Sequence, residues 1–247
     1  MINLPKLIGH RGVKDLSPEN TIESINLAKK LGLNWVEFDV KISKDLIPIL
    51  FHDEFLKRTT NGMGLPVNYF YKELKKLDAG SFFYNTATKI YIPTLKEILL
   101  LSQKNNICLN IELKSNKGFE KENIESIAKI LIESKFTNQY YFSSFDWNSI
   151  IMMKEFLPYA YYGLLIHDFN NNIFLSNALE ICKKYKFSCC GFNKDVINSD
   201  IINEMKINDL ITSVYSENNL KPSEANELWS KGVKSIFIDD PSEFNIS

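Results

Sequence analysis

The chain has 247 residues, of which 45% are hydrophobic, and carries a net charge of −1 with an isoelectric point near 6.3. This length and apolar content suit one large domain, and the balanced charge excludes the basic excess that binding to a nucleic-acid backbone requires. The start of the chain lacks the basic and apolar regions of a signal peptide, and no apolar run has the ~18 residues that a membrane span needs. We therefore expect a cytoplasmic protein with no stable membrane anchor and no nucleic-acid partner.

Three short apolar runs within the first 53 residues end at side chains that can do chemistry. The first run ends at His10 and Arg11, the second carries Glu37 and Asp39, and the third ends at His52. Barrel enzymes place functional residues at the carboxyl ends of their strands in this way. Histidine is scarce in this chain, so two histidines at such positions indicate acid–base chemistry.

Strand-like runs alternate with amphipathic helices along most of the chain, beginning with a helix that ends at Gly32. Further helices are predicted over 94–105, 119–134, 147–156, 173–186, 199–206 and 223–231. Strands are predicted over 35–40, 108–113, 139–144, 160–166, 187–192, 210–215 and 235–239, besides the runs that end at His10 and His52. This alternation predicts an α/β fold in which helices close a parallel sheet, and the length suits a (β/α)8 TIM barrel.

The sequence offers nine candidate strands for the eight places of such a barrel. The ambiguity lies between Asp39 and Ile47, because the seven residues between them are fewer than a parallel crossover usually requires. Either a shortened crossover joins the two strands or they form a hairpin.

The regular alternation breaks directly after His52, over residues 54 to about 91. We predict that this segment is a small insertion at the barrel mouth, with a short helix over 71–77. Six of its aromatic side chains either line a substrate pocket or form the small core of the insertion. These are Tyr69, Phe70, Tyr71, Phe82, Phe83 and Tyr84. The prediction is a single domain over 1–247, with the barrel formed by 1–53 and 92–247.

Glu37 and Asp39 are two residues apart on a predicted strand, so their side chains lie on one face, and Glu112 and Lys114 have the same relation. Three converging carboxylates would repel one another, and a divalent cation relieves that repulsion. All-oxygen ligation suits a hard ion, Mg²⁺ or Ca²⁺. A phosphodiester beside the cation balances the site, since Arg11 and Lys114 supply the remaining positive charge.

Each of these residues has a plainer structural explanation when it is taken alone, but their joint occurrence at successive strand ends favours function. His167 lacks such neighbours, so we predict a structural role for it. Cysteines fall at positions 108, 182, 189 and 190, in neither a zinc-binding nor a disulfide spacing. We predict buried, reduced thiols, which fit a reducing compartment.

Several segments together carry a specific combination of motifs. They are Gly9-His10-Arg11-Gly12, Pro18-Glu19-Asn20-Thr21, Glu37-Phe38-Asp39-Val40, His52-Asp53, Arg58-Thr59-Thr60-Asn61-Gly62 and Asn110-Ile111-Glu112-Leu113-Lys114. This combination resembles the signature of glycerophosphodiester phosphodiesterases. The match continues through 73–80 and 92–95 and extends weakly to 239–241, so it covers nearly the whole chain.

The resemblance implies a TIM barrel of the phosphatidylinositol-phospholipase-C-like phosphodiesterase type, with the family's insertion after His52. It also implies that Glu37, Asp39 and Glu112 hold one divalent cation, and that His10 and His52 are the general acid and base.

The same resemblance assigns phosphate binding to Arg11 and Lys114, and assigns to Glu19 the orientation of the first-strand residues. In the plainer explanation of this segment, Pro18 fixes the turn and Asn20 caps the following helix.

The implied reaction is metal-dependent hydrolysis of a glycerophosphodiester, such as glycerophosphocholine or glycerophosphoethanolamine, to sn-glycerol 3-phosphate and an alcohol. The nucleophile is either water or the neighbouring glycerol hydroxyl. A lysophospholipase D is the alternative, and it would need a wide apolar mouth for an acyl chain. A non-catalytic phosphodiester-binding protein would have lost a metal ligand or a histidine, and none is missing.

Two segments depart from the family's pattern. Tyr215-Ser216-Glu217-Asn218 stands where the family often has Trp-Thr-Val-Asn, and Ile238-Asp239-Asp240-Pro241 where it usually has Thr-Asp, a basic residue and Pro. We expect these changes to touch the pocket wall and the barrel floor, and to affect alcohol specificity more than the reaction.

Overall fold

The computed structural model describes residues 2–167 and 172–245. Its strands are β1 Leu7–Gly9, β2 Trp35–Ile42, β3 Pro48–Leu50, β4 Cys108–Leu113, β5 Tyr140–Ser144, β6 Tyr161–Ile166, β7 Cys189–Asn193, β8 Ile211–Tyr215 and β9 Ser235–Ile238. All except β3 pair in parallel, and the sheet closes because β1 pairs with both β2 and β9. The predicted (β/α)8 barrel is therefore confirmed.

Helices alternate with these strands as the sequence predicts. They are α1 Ile22–Lys30, α2 Tyr71–Leu74, α3 Ser81–Tyr84, α4 Leu95–Asn105, α5 Glu120–Ser134, α6 Trp147–Phe156, α7 Asn172–Tyr185, α8 Ser199–Ile207 and α9 Pro222–Lys231. The helix predicted over 71–77 is shorter, ending at Leu74. None of the helices in the described ranges is long and apolar enough to cross a bilayer.

The strand in excess of the eight barrel strands is β3, which lies outside the barrel and forms a hairpin with β2. The pairing is antiparallel, with Val40 opposite Leu50, so of the two alternatives left open by the sequence the hairpin is the one observed. Beyond the paired residues, the Phe51 amide donates to the Asp39 carbonyl at 3.0 Å. This bond brings His52, the next residue, back to the mouth of the barrel.

The barrel interior is filled below the mouth by a cluster of large side chains. Its members include Ile8, Trp35, Tyr141 and Phe237, each at most 6% exposed. Because Trp35 lies two residues before Glu37 on β2, the two side chains lie on the same face of that strand. The cluster therefore forms a packed floor on which the polar side chains at the strand ends rest.

The insertion has a separate small core built on β3. Its buried members are Ile49, Phe51, Leu56, Leu74, Ala79 and Ile92. Tyr69 and Tyr71 pack against this core, whereas the other four of the six aromatic side chains named above are more than 40% exposed. The small-core alternative therefore holds for two of the six aromatics.

The four cysteines are all free, and Cys108 is half-buried while the others are buried. Cys182 and Cys190 approach to 3.6 Å between sulfur atoms without a bond. The prediction of buried thiols therefore holds for Cys182, Cys189 and Cys190 but not for Cys108.

Candidate active site

The ends of β1, β2, β3 and β4, together with the segment between β1 and α1 that carries Glu19, bring the predicted site residues to one mouth of the barrel. Asp39 stands opposite Glu112 in the sheet register, and a cavity of about 620 Å³ opens above them. Seven of the eight predicted residues line this cavity: His10, Arg11, Glu19, Glu37, His52, Glu112 and Lys114. The eighth, Asp39, is buried against them, with Arg11 Nε at 3.4 Å from its Oδ2 atom.

Three buried carboxylates converge at the bottom of this site. One oxygen from each of Glu37, Asp39 and Glu112 lies within 4.8 Å of the others, and the three residues are at most 7% exposed. Burial raises the pKa of Glu37 and of Glu112, and the Asp39 charge adds to both shifts. Burial acts the same way on Asp39, but Arg11, His52 and Lys114 outweigh it and hold its pKa below the usual range.

The donor set of this triad fits a hard divalent cation. The Glu37 Oε1 atom is buried and has no hydrogen-bond partner among the described residues, and such an oxygen is costly unless a ligand satisfies it. Carboxylate oxygens are the ligands that Mg²⁺ and Ca²⁺ prefer. Glu37, Asp39 and Glu112 could therefore hold one such ion.

Asn20 holds Asp39 in place through two hydrogen bonds. Its Nδ2 donates to Asp39 Oδ2 at 2.9 Å, and its Oδ1 accepts from the Asp39 amide at 3.1 Å. The plainer explanation of this segment, in which Asn20 caps α1, does not hold, because the cap is Thr21, whose hydroxyl accepts from the Ser24 amide at 3.2 Å. Two good caps in succession were the signal that Asn20 is free for another role.

His10 is oriented by a carboxylate from the far end of the chain. Its Nδ1 lies 2.6 Å from Asp239 Oδ1, and Lys14 Nζ lies 2.6 Å from the other oxygen of Asp239. A carboxylate on Nδ1 favours the proton there, so Nε2, which is 3.9 Å from Glu37 Oε2, is left to exchange a proton.

The expectation that the segment around Asp239 touches the barrel floor was wrong, since this residue lies at the mouth. Asp239 directly follows β9, just as His10 directly follows β1. The sequence held the same signal that identified the histidines, an apolar run ending at a polar residue.

His52 has its own carboxylate, supplied by the next residue. Its Nδ1 lies 2.7 Å from Asp53 Oδ1, and Arg58 binds the same carboxylate with Nε at 2.5 Å from Oδ2. Burial lowers the pKa of His52, although Asp39 opposes the shift. The neutral ring is therefore favoured near pH 7.

Glu19 links the strand-end residues to the insertion. It accepts from Arg11 Nη1 at 2.9 Å and from Arg58 Nη1 at 2.7 Å. These partners lower the pKa of Glu19 even though burial opposes them. In the sequence Arg58 is only part of a motif, and the structure adds it to the site as the bridge between Glu19 and Asp53.

Lys114 and His167 lie on the wall of the cavity. Lys114 Nζ donates to Glu112 Oε1 at 2.9 Å. His167, for which we predicted a structural role, lines the cavity and stacks near Tyr215, with ring centroids 6.5 Å apart.

A second cavity of about 580 Å³ adjoins the first. Five residues line both cavities: His52, Arg58, Glu112, Lys114 and Phe145. Lys41, two residues beyond Asp39 on the same face of β2, lines only the second. Burial lowers the pKa of Lys41 to about 8, while Asp39 opposes the shift. None of the six aromatic residues singled out in the sequence of the insertion lines either cavity, whereas Phe55, near the start of the insertion, lines the second.

Comparison with known proteins places this site in a family. Residues 10–243 match the Glycerophosphoryl diester phosphodiesterase family. A glycerophosphodiester phosphodiesterase from Bacillus altitudinis is 31% identical over 245 residues, which are 96% of each chain. One from Bacillus subtilis is 30% identical, over 96% of this chain and 84% of the relative.

Among solved structures, an Oleispira antarctica phosphodiesterase in complex with the product sn-glycerol-3-phosphate superimposes with a TM-score of 0.87 at 30% identity. The match covers 96% of this chain and 93% of that one. A family match that spans the site from His10 to beyond Asp239, together with these relatives, settles the family. The chain belongs to the glycerophosphoryl diester phosphodiesterase family and is an enzyme of that class.

Proposed function

We propose that this protein hydrolyses glycerophosphodiesters to sn-glycerol 3-phosphate and an alcohol, using one divalent cation and the pair His10 and His52. The observation that carries the proposal is the juxtaposition of a buried carboxylate triad with two histidines, each bonded to a carboxylate through Nδ1. The product bound to the Oleispira antarctica relative supports a substrate of this kind.

In this proposal Glu37, Asp39 and Glu112 hold Mg²⁺ or Ca²⁺, and the unpaired oxygen of Glu37 supports that role. When bound, the cation would polarise the phosphoryl group and offset the charge that develops on it. Arg11 and Lys114 bind the phosphate oxygens beside it, as a guanidinium fork and a point charge.

The two histidines share the proton transfers. One takes the proton of the nucleophile and the other gives a proton to the leaving alkoxide, a division that needs pKa values near neutral pH. Asp239 and Asp53 keep Nε2 of each ring available at the cavity. Glu19 positions Arg11 and the insertion's Arg58.

The test is release of sn-glycerol 3-phosphate from glycerophosphocholine, measured in EDTA, in Mg²⁺ and in Ca²⁺. We expect turnover only with a cation, and a loss of about 100-fold or more in kcat for His10→Ala and for Glu112→Gln. Glu227→Gln, an exposed substitution on α9, is the matched control and should retain activity. Full activity in EDTA would overturn the metal-dependent reaction, and full activity of His10→Ala would overturn the role of His10.

Lysophospholipase D activity requires a separate comparison, with lysophosphatidylcholine as substrate. Charged and polar side chains predominate around both cavities, and among the described residues only three apolar ones line the second: Phe55, Leu113 and Phe145. We therefore expect glycerophosphocholine to be the better substrate, and faster turnover of the lysolipid would contradict that expectation.

A further inference from the structure

We propose that the second cavity binds the alcohol half of the substrate and that Lys41 selects alcohols that carry an anionic group, a carboxylate or a second phosphate. This inference rests on the proposed function, because it names the kind of glycerophosphodiester that the same site prefers.

The two cavities meet at the place where the proposed chemistry occurs. His52, Glu112 and Lys114 line both of them, so a phosphorus atom held there would direct one ester substituent into each. The larger cavity offers neutral hydrogen-bonding side chains, including Asn110 and Asn193, which suit the hydroxyls of glycerol. The smaller cavity is thus left for the alcohol.

Lys41 is an unusual residue in the wall of that smaller cavity. It is only 4% exposed, yet it makes no hydrogen bond or ion pair with the residues that the structure describes. Lys114, by contrast, is bonded to Glu112 at 2.9 Å. Burying a cation without a counter-ion is unfavourable, and a ligand with its own negative charge would supply that counter-ion.

Among the residues that the structure describes, none of the five carboxylates around the smaller cavity forms an ion pair with Lys41, although the charges of Asp53 and Glu54 act on it from a distance. Four of the five already accept hydrogen bonds, and the fifth is exposed to solvent. The four are Asp53, Glu112, Glu120 and Asp146, and the fifth is Glu54. Asp39 precedes Lys41 on the same face of β2 but belongs to the carboxylate triad. Two exposed lysines, Lys57 and Lys117, add positive charge at the rim.

The experiment compares two pairs of substrates in which one member carries an additional anionic group. Glycerophosphoserine and glycerophosphoethanolamine differ by a carboxylate, and bis(glycerophospho)glycerol and glycerophosphoglycerol differ by a second glycerophosphoryl group. The measured quantity is the ratio of kcat/KM, anionic member over its partner, within each pair. We expect a ratio of about 10 in at least one pair, the gain typical of one charge-assisted hydrogen bond, and the pair with the larger ratio identifies the preferred anion.

Three variants test whether the ratio of kcat/KM depends on the charge of Lys41. Lys41→Met keeps the length of the side chain without its charge and should bring the ratio close to 1, mainly through a higher KM for the anionic member. Lys41→Arg should restore most of the ratio. Lys72→Met, an exposed substitution in the insertion away from both cavities, should leave it unchanged.

The outcomes separate this proposal from the proposed function. Turnover of glycerophosphoethanolamine with a ratio near 1 in both pairs, or a ratio that Lys41→Met does not change, would overturn the role of Lys41 and leave the reaction standing. Failure of the wild-type protein to hydrolyse any of the four diesters with Mg²⁺ or Ca²⁺ would overturn the reaction, and the selectivity with it.

Discussion

The bond between His10 and Asp239 favours the proton on Nδ1 and leaves Nε2 for the proton transfer that we propose for His10. Asp239 is 3% exposed and also binds Lys14, so its charge is shielded from water and acts on its two partners. The role of this residue parallels that of the carboxylate in a hydrolytic triad, which fixes the tautomer of its histidine and stabilises the protonated ring.

We expect Asp239→Asn to lower kcat by about 100-fold, because an amide can present its N–H to Nδ1 and favour the wrong tautomer. The folded state should persist, which circular dichroism and thermal unfolding would check. Asp240→Asn is the matched control, since this neighbouring carboxyl accepts from the Ser242 amide and does not contact His10. Equal kcat in the two variants would contradict the orienting role.

Asn20 and Thr21 are adjacent residues with different roles: Asn20 holds Asp39, and Thr21 caps α1. Single substitutions should separate the two roles. Asn20→Ala removes both hydrogen bonds to Asp39, so the affinity for the cation should fall about 10-fold, the usual effect of losing an outer-shell partner. Thr21→Ala removes the cap of α1 and should cost about 1 kcal/mol in the free energy of unfolding. Calorimetric titration with Mg²⁺ and urea unfolding measure the two effects, and a reversed pattern would contradict the assignment.

Sequence reasoning found the histidines and carboxylates because each follows or lies within an apolar run. It missed the bonds among them, since those depend on distances between strands far apart in the chain. Asp239 and His10 are separated by 229 positions, and nothing local to either residue identifies the other as its partner.

Among the secondary-structure elements, the hairpin of β2 and β3 was the one that the sequence left open. The residues that connect the two strands were too few for a long crossover, but they allowed both a shortened crossover and a hairpin. Tertiary contacts favour the hairpin. The Leu50 amide donates to the Pro93 carbonyl at 2.9 Å, and β3 forms part of the insertion's core. Parallel strands joined by helices were easier to predict, because their alternation repeats along the chain.

The insertion's core predicts a local response to truncation. Leu74 is fully buried there, so Leu74→Ala should cost about 2 to 4 kcal/mol of local stability. Because this core is separate from the barrel's main core, hydrogen exchange should rise over 54–91 and in β3 while α5 stays protected. Met63→Ala, at a site that is 69% exposed in the same segment, should change little. Uniform acceleration across the chain would show that the insertion and the barrel open together.

At the scale of the whole molecule, the closed barrel buries the carboxyl groups of Glu37, Asp39 and Glu112 close together. The raised pKa of Glu37 means that the cation-free folded protein holds a proton that the unfolded chain releases at lower pH. Native stability in EDTA therefore declines as the pH rises from the ordinary glutamate value of 4.5 towards the raised one. A bound cation removes this decline, because it occupies the carboxylate in place of the proton.

We accordingly expect the stabilisation by Mg²⁺ to grow as the pH rises above the ordinary glutamate value of 4.5, with affinity rising by up to tenfold per pH unit for each proton displaced. At a concentration 100 times the Kd, the cation adds about 2.7 kcal/mol. The measurement is the melting temperature with and without Mg²⁺ at each pH, with Glu37→Gln beside the wild type. Stabilisation that is independent of pH would contradict a protonated Glu37.

The pairing of β1 with β9 also sets the order of events during synthesis. A ribosome adds about 5 to 20 residues per second, so the 229 positions between His10 and Asp239 take about 10 to 50 s to translate. Within that time the nascent chain acquires Glu37, Asp39, His52 and Glu112, but until its end the chain lacks both the last barrel strand and the partner of His10. The site is therefore complete only near the end of synthesis. A chain that ended before Asp239 would contain His10 without the carboxylate that orients it.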